Sequence, residues 1–123
     1  MGELLYKDLT YKINGAAFRV YNNLGYGYRE KVYQRGLVEE FKVEKLKFHK
    51  ECPVTIKYNG KIIAKYYIDF VVADKIVVEL KIANDFYVRD IKQILSYLKA
   101  KNLRLGLLII FNKKGVKIRR IIN

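Results

Sequence analysis

Residues 61–81, KIIAKYYIDFVVADKIVVELK, constrain the fold more than any other stretch of the chain. The run is apolar and β-branched on both sides of Ala73-Asp74, a composition that suits strands buried in a sheet. Ahead of it, VTIKY leads into Asn59-Gly60, whose residues supply the positive φ angles of a type I′ turn. Three neighbouring strands joined by two tight turns are therefore expected from Pro53 onward.

Helical spacing brackets this block. Leu5, Leu9, Ile13, Ala16, Ala17, Val20 and Leu24 recur at steps of three and four, so a first helix is expected to end near NNLGYG. A second is expected from near Tyr28 to about Lys45, with Val32, Tyr33, Leu37, Val38 and Phe41 on one stripe. A third should run from Asp85 to about Lys101. RLGLLIIF then reads as a buried strand, NKKG as a turn, and VKIRRII as a final edge strand. The order ααβββαββ predicts a single α/β domain over residues 1–123, with a mixed central β-sheet flanked by helices. A length of 123 residues and an apolar fraction of 51% suit one domain with one real core.

Charge points to the partner. The chain carries 25 Lys and Arg against 12 Asp and Glu, a formal net charge of +13. After Asp90 no acidic side chain remains, while nine basic ones follow. A polyanion is the natural ligand for such a surface, and nucleic acid is favoured over an anionic membrane because no basic amphipathic helix stands apart from the core. Lys113, Lys114, Lys117, Arg119 and Arg120 could grip phosphates, although lysine on an edge strand also prevents aggregation. Cys52 is the only cysteine, which excludes an internal disulfide and a cysteine-based zinc cluster, and it is expected to be reduced and partly buried. The segment MGELLYKDLTYK has no apolar signal core, and LGLLIIF is too short to span a bilayer, so a cytoplasmic location is expected.

Charges inside strands are costly unless they are paired or coordinated. Asp69 interrupts YYIDFVV, and Glu79 and Lys81 interrupt KIVVELK. Strand alternation puts Glu79 and Lys81 on one face, and the tight turn puts Asp69 across from Glu79 to within one residue. Two neighbouring carboxylates repel unless a proton or a metal lies between them, and Mg²⁺ suits oxygen ligands while keeping several waters. Lys81 beside the metal would orient the attacking water and stabilise developing charge. The alternative is an ordinary cross-strand ion pair between Lys81 and Asp69 or Glu79.

Asp69 followed by Glu79-Leu80-Lys81 resembles the D…(D/E)xK signature of the PD-(D/E)XK nuclease superfamily. LGYGYREKVY contains Gly27-x-x-Glu30-x-x-Tyr33, which is similar to the GxxExxY motif of one small family within it. The flanking INGAAFRVYNNLG and GLVEEF read like that family too. Gln93-x-x-x-Tyr97 resembles the QxxxY motif of RecB-like nucleases. The resemblance implies a restriction-endonuclease-like fold and a Mg²⁺- or Mn²⁺-dependent nuclease that hydrolyses DNA phosphodiester bonds. It implies that Asp69, Glu79 and the Leu80 carbonyl hold the metal, and that Lys81 is catalytic. It further implies that Glu30 orients the water or helps hold the cation, and that Gln93 and Tyr97 contact substrate. Relatives often carry His where this chain has Tyr21 and Pro where it has Tyr26. The lost His favours an alternative, a non-catalytic nucleic-acid-binding module. A small junction-resolvase-like endonuclease is another, with a homodimer completing the cleft.

Tyr26 and Tyr28, flanking Gly27, could border the active cleft, and Tyr28 is carried as a substrate contact with Lys113 and Lys114. His49 is expected at the surface, and Asp85 and Asp90 as cap and first-turn charges of the third helix.

Overall fold

A computed structural model describes residues 4–123; the first three residues of the MGELLYKDLTYK segment lie outside it. Two helices come first, α1 (Lys7–Leu24) and α2 (Glu30–Val43). Three strands follow, β1 (Phe48–Tyr58), β2 (Lys61–Val72) and β3 (Ile76–Ile82), then α3 (Val88–Lys101), β4 (Leu105–Asn112) and β5 (Gly115–Ile122). The five strands form one sheet in the order β1-β2-β3-β4-β5. Only β3 and β4 run parallel, with α3 as the crossover between them. The expected order ααβββαββ is the observed one.

Both turns predicted from sequence form. Asn59 and Gly60 adopt φ of 51° and 76°, and Ala73 and Asp74 adopt 55° and 56°, the left-handed pair that a right-twisted hairpin requires. Helix starts differ from the periodicity by a few residues. The second helix begins at Glu30, because its N-cap residue Arg29 is extended, at φ −70° and ψ 153°. The third begins at Val88, and its N-cap residue is Tyr87; the Asp85 carboxylate instead accepts a hydrogen bond from the Phe86 N–H at 2.7 Å. β1 begins at Phe48, five residues before the point where the strand pattern becomes visible at Pro53.

The sheet has a core on each face. Odd-numbered residues of β4 (Leu105, Leu107, Ile109, Phe111) pack with α1 and α2, and Leu108 and Ile110 pack with α3. α3 lies very close to the sheet at Gly106, where a Cβ would fall 2.5 Å from Ile94 Cγ2. Arg120 of β5 is tied into the structure, donating to the Leu5 carbonyl at 2.7 Å and to Thr10 at 3.3 Å, which corrects its reading as a phosphate grip.

The alternation of β2 breaks at Asp69. Phe70 and Val72 face the α1/α2 core, but Ile68 faces the α3 core although it is two residues from Phe70. The partner strand breaks opposite it: Lys50 pairs with Phe70 and Cys52 with Ile68, while Glu51 between them has a φ of 53°. The β1–β2 hairpin therefore rolls over at this level. The β2–β3 ladder stops there as well, its last pair being Phe70 with Val78.

Candidate active site

The site lies where β2 and β3 part. Beyond the Phe70–Val78 pair, two side chains take over the bonds that the ladder would have made. The Asp69 N–H donates to Glu79 Oε1 at 2.9 Å, and the Leu80 N–H donates to Asp69 Oδ2 at 2.9 Å. Each carboxylate is thus fixed by the other strand's backbone. In a strand the N–H and C=O of one residue point to the same side, so the Leu80 carbonyl faces the same gap. Asp69 is half-buried, and Glu79 is only 4% exposed.

Crowding of negative charge in a dry place shows in the proton affinities. Burial, and next the charge of Asp69, push the Glu79 carboxyl up to about 8. Burial likewise raises Asp69, against the opposing pull of the Leu80 N–H and Lys81. Glu30, at the first position of α2, is raised by burial and by Asp69, while the Ile82 N–H steadies its charged form. Burial and the neighbouring charge thus favour the protonated form of Glu79.

Lys81 projects into the same region, and its ammonium favours ionisation of Asp69, Glu79 and Glu30 alike. Its ion-pair partner is Asp90 in the first turn of α3, at 3.9 Å, in place of the cross-strand pair with Asp69 or Glu79 weighed from sequence. Asn112 and Gln34 are members of the site that the sequence did not single out, and Asp90, expected only as a first-turn charge of the third helix, is that and also meets Lys81. Asn112 is buried and joins the ends of β3 and β4, donating to the Ala83 carbonyl at 3.1 Å and accepting from the Lys114 N–H at 2.9 Å. Gln34 donates to Glu30 at 3.5 Å and favours the charged form of Asp69. Its position four residues after Glu30, on the same helix face, was the available signal.

The Gly27-x-x-Glu30-x-x-Tyr33 spacing has a mechanical reading. Gly27 at φ 120° lets the chain double back, and Glu30 opens α2 directly afterwards. Tyr33 is fully buried one turn later; its hydroxyl donates to the Gly25 carbonyl at 2.6 Å and accepts from the Tyr28 N–H at 3.3 Å. Tyr33 therefore pins the loop that aims Glu30 at the carboxylates. Tyr21, at the position where a His was noted as missing, donates to the Asn112 carbonyl at 2.6 Å and packs edge-on against Phe111.

An open cleft of about 510 Å³ leads away from Lys81, lined also by Tyr26, Asn84, Tyr87, Arg89 and Asp90. Asn112 continues it into a second cleft that reaches Lys113, Lys114 and Lys117 on the β4–β5 turn. Tyr26 lines both, whereas Tyr28 lies on the other side of Gly27 in the chain, exposed, with its ring edge-on to Tyr33. Gln93 is half-buried on α3, and Tyr97, one turn on, is only 2% exposed. Its hydroxyl is raised above the usual phenol range by burial and by the charges of Glu79 and Asp69. A buried Tyr97 bears on the carboxylates before it can bear on a ligand. His49 is exposed and pairs with Asp74, away from these groups.

Among the described residues, no three His, Cys, Asp or Glu side chains form a ready-made metal cage. What the site offers is two carboxylates and one strand carbonyl. That donor set fits a hard cation that keeps much of its own water, and such an ion would relieve the crowding of the two buried carboxylates.

Two solved structures share this fold. The crystal structure of SSO0001 superposes with a TM-score of 0.61 at 14% identity, covering 99% of this chain and 78% of that one. An alkaline exonuclease from Laribacter hongkongensis superposes with a TM-score of 0.57 at 9% identity, covering 99% and 72%. No curated protein sequence matches the chain. A family model does match, across residues 7–121, from the start of α1 to the end of β5. That span takes in the parted strands, the two carboxylates and Lys81, and the chain belongs to the PD-(D/E)XK nuclease superfamily.

Proposed function

We propose that this protein is a divalent-metal-dependent nuclease that hydrolyses phosphodiester bonds in DNA, and that it belongs to the GxxExxY group of its superfamily. The observation that carries the reading is the reciprocal pair of backbone bonds, Asp69 N–H to Glu79 and Leu80 N–H to Asp69, which sets both carboxylates about one gap. Asp69, Glu79 and the Leu80 carbonyl are the residues that would hold Mg²⁺ or Mn²⁺. When bound, the cation would lower the pKa of a water and neutralise charge on the phosphoryl oxygen.

The protein's own groups do the rest. Lys81, placed by Asp90, orients the incoming water and stabilises charge building on the phosphate. Glu30, held by Gln34 and the Ile82 N–H, accepts or steers a proton at the mouth of the gap. Lys113 and Lys114 extend the positive surface along the cleft, and Gln93 of α3 contacts the substrate. The full span of residues 7–121 acts as one catalytic domain.

The test is cleavage of labelled DNA with Mn²⁺ or Mg²⁺, with EDTA as control and Lys81→Ala beside the wild type. Metal-dependent cleavage should fall on the order of 10²–10³-fold in the variant. Equal cleavage by both proteins, or none by the wild type, removes the catalytic assignment.

A further inference from the structure

A second, smaller cleft opens beside Asp69 and is not needed to explain the carboxylate site. Its volume is about 200 Å³, and it is lined by Lys31, Gln34, Arg35 and Val38 of α2, by Lys50 and Glu51 of β1, and by Asp69 and Phe70. Asp69 lines this cleft and Lys81 lines the larger one, so the two clefts open onto different members of the candidate site. A strand whose phosphate lay at Asp69 and Glu79 would pass one neighbouring nucleotide into each.

The two clefts differ in character. The larger is open and mainly polar, with Arg89, Asn84 and Asn112 on its walls. The smaller has Val38 as its apolar wall, with the buried Phe70 at its floor, three cationic side chains around it and Glu51 as an opposing acid. Its volume is below the roughly 300 Å³ from which pockets take whole drug-sized ligands, so it suits a single flat ring system rather than a duplex end. A base standing in it would have its pairing edge against protein, which a base-paired nucleotide cannot do without leaving the stack. The hairpin rollover at Glu51 and Asp69 creates this space, because it turns Asp69 toward α2 while Ile68 goes to the other core.

We infer that this cleft is a subsite for one unpaired base next to the scissile phosphate, with Arg35 and Lys50 on the adjoining backbone. The inference rests on the nuclease reading and deepens it: the preferred substrate has a single-stranded nucleotide at the cut.

Binding without chemistry tests it. Fluorescence anisotropy is measured in EDTA with one labelled oligonucleotide, alone or annealed to its complement. The proteins are the wild type, Arg35→Ala/Lys50→Ala, and Val38→Trp, with circular-dichroism melting to show that each is folded. The wild type should bind the single strand more tightly than the duplex. Val38→Trp, which fills the cleft, should weaken single-strand binding about tenfold with little change in salt dependence. The double variant should lower the slope of log K against log salt by about 1.4, two phosphate contacts at ~0.7 each. Single-strand binding unchanged by Val38→Trp, or equal losses on both forms of DNA, overturns the subsite and leaves the nuclease assignment standing. A wild type that binds neither form overturns the subsite and leaves the nuclease assignment to the cleavage assay.

Discussion

Glu79 makes the sharpest residue-level demand on the protein. Its folded pKa of about 8 lies above the ordinary value of 4.5, so between these values the folded state holds a proton that the unfolded chain has released. Stability of the metal-free protein must therefore fall as pH rises through that window, and the penalty is complete above about pH 8. Asp69 and Glu30 shift in the same direction, so they add to the slope. Melting temperatures from about pH 5 to 8 should decline in the wild type and decline less in Glu79→Gln, and added Mg²⁺ should restore the wild type at the alkaline end. Tyr33 is a second test at this scale. Removing its hydroxyl in Tyr33→Phe leaves the Gly25 carbonyl and the Tyr28 N–H without their partner, costing about 1 kcal/mol in urea unfolding. Cleavage should drop as well, since Glu30 loses its fixed approach. Asp69, Glu79 and Lys81 were legible because charge inside an apolar strand is a local anomaly. Asn112 and the meeting of Asp90 with Lys81 were not, since their partners lie on other elements and nothing in their neighbourhood marks them.

At the scale of elements, the decisive event is the parting of β2 from β3. The ladder bonds end at Phe70 and Val78, and Glu51 with its positive φ lets the hairpin roll over at the same level. α3 holds the other side of the site, carrying Asp90, Gln93 and Tyr97, and its height above the sheet is set at Gly106. Gly106→Val would drive a side chain into Ile94 and Leu98, destabilising the fold by about 1–3 kcal/mol and lifting Asp90 away from Lys81. Denaturant midpoints should fall, and activity at temperatures where the variant is fully folded should fall too. Element types and the two tight turns could be read from periodicity and turn chemistry. The helix starts and the five extra residues of β1 could not, because they depend on the extended backbone of Arg29 and Tyr87 and on pairing with a distant strand.

For the whole molecule, net charge is +13, and the clefts at the candidate site are edged by Lys and Arg. No helix among the described residues is long and apolar enough to cross a membrane. Nucleic-acid binding should weaken steeply with salt, and Lys113→Ala/Lys114→Ala should reduce the slope by about 1.4–1.8, according to whether the strand is single or double. A slope unchanged in that variant would take the β4–β5 turn out of the binding surface.

By itself the chain's order of residues determined the elements, their succession, the identity of the acidic pair and its lysine, and the kind of polymer that would be attracted. Each of these is carried by local chemistry: side-chain period, turn propensity, a charge where apolar residues belong, and a surplus of one sign. Tertiary structure alone decided which backbone groups clamp the carboxylates, that Lys81 leans on Asp90, that Arg120 serves the fold, and that Asp69 turns toward α2 to open a second cleft. Those outcomes follow from how far two strands stay paired and where a third helix comes to rest. Such distances are set by the packing of residues remote from one another in the chain.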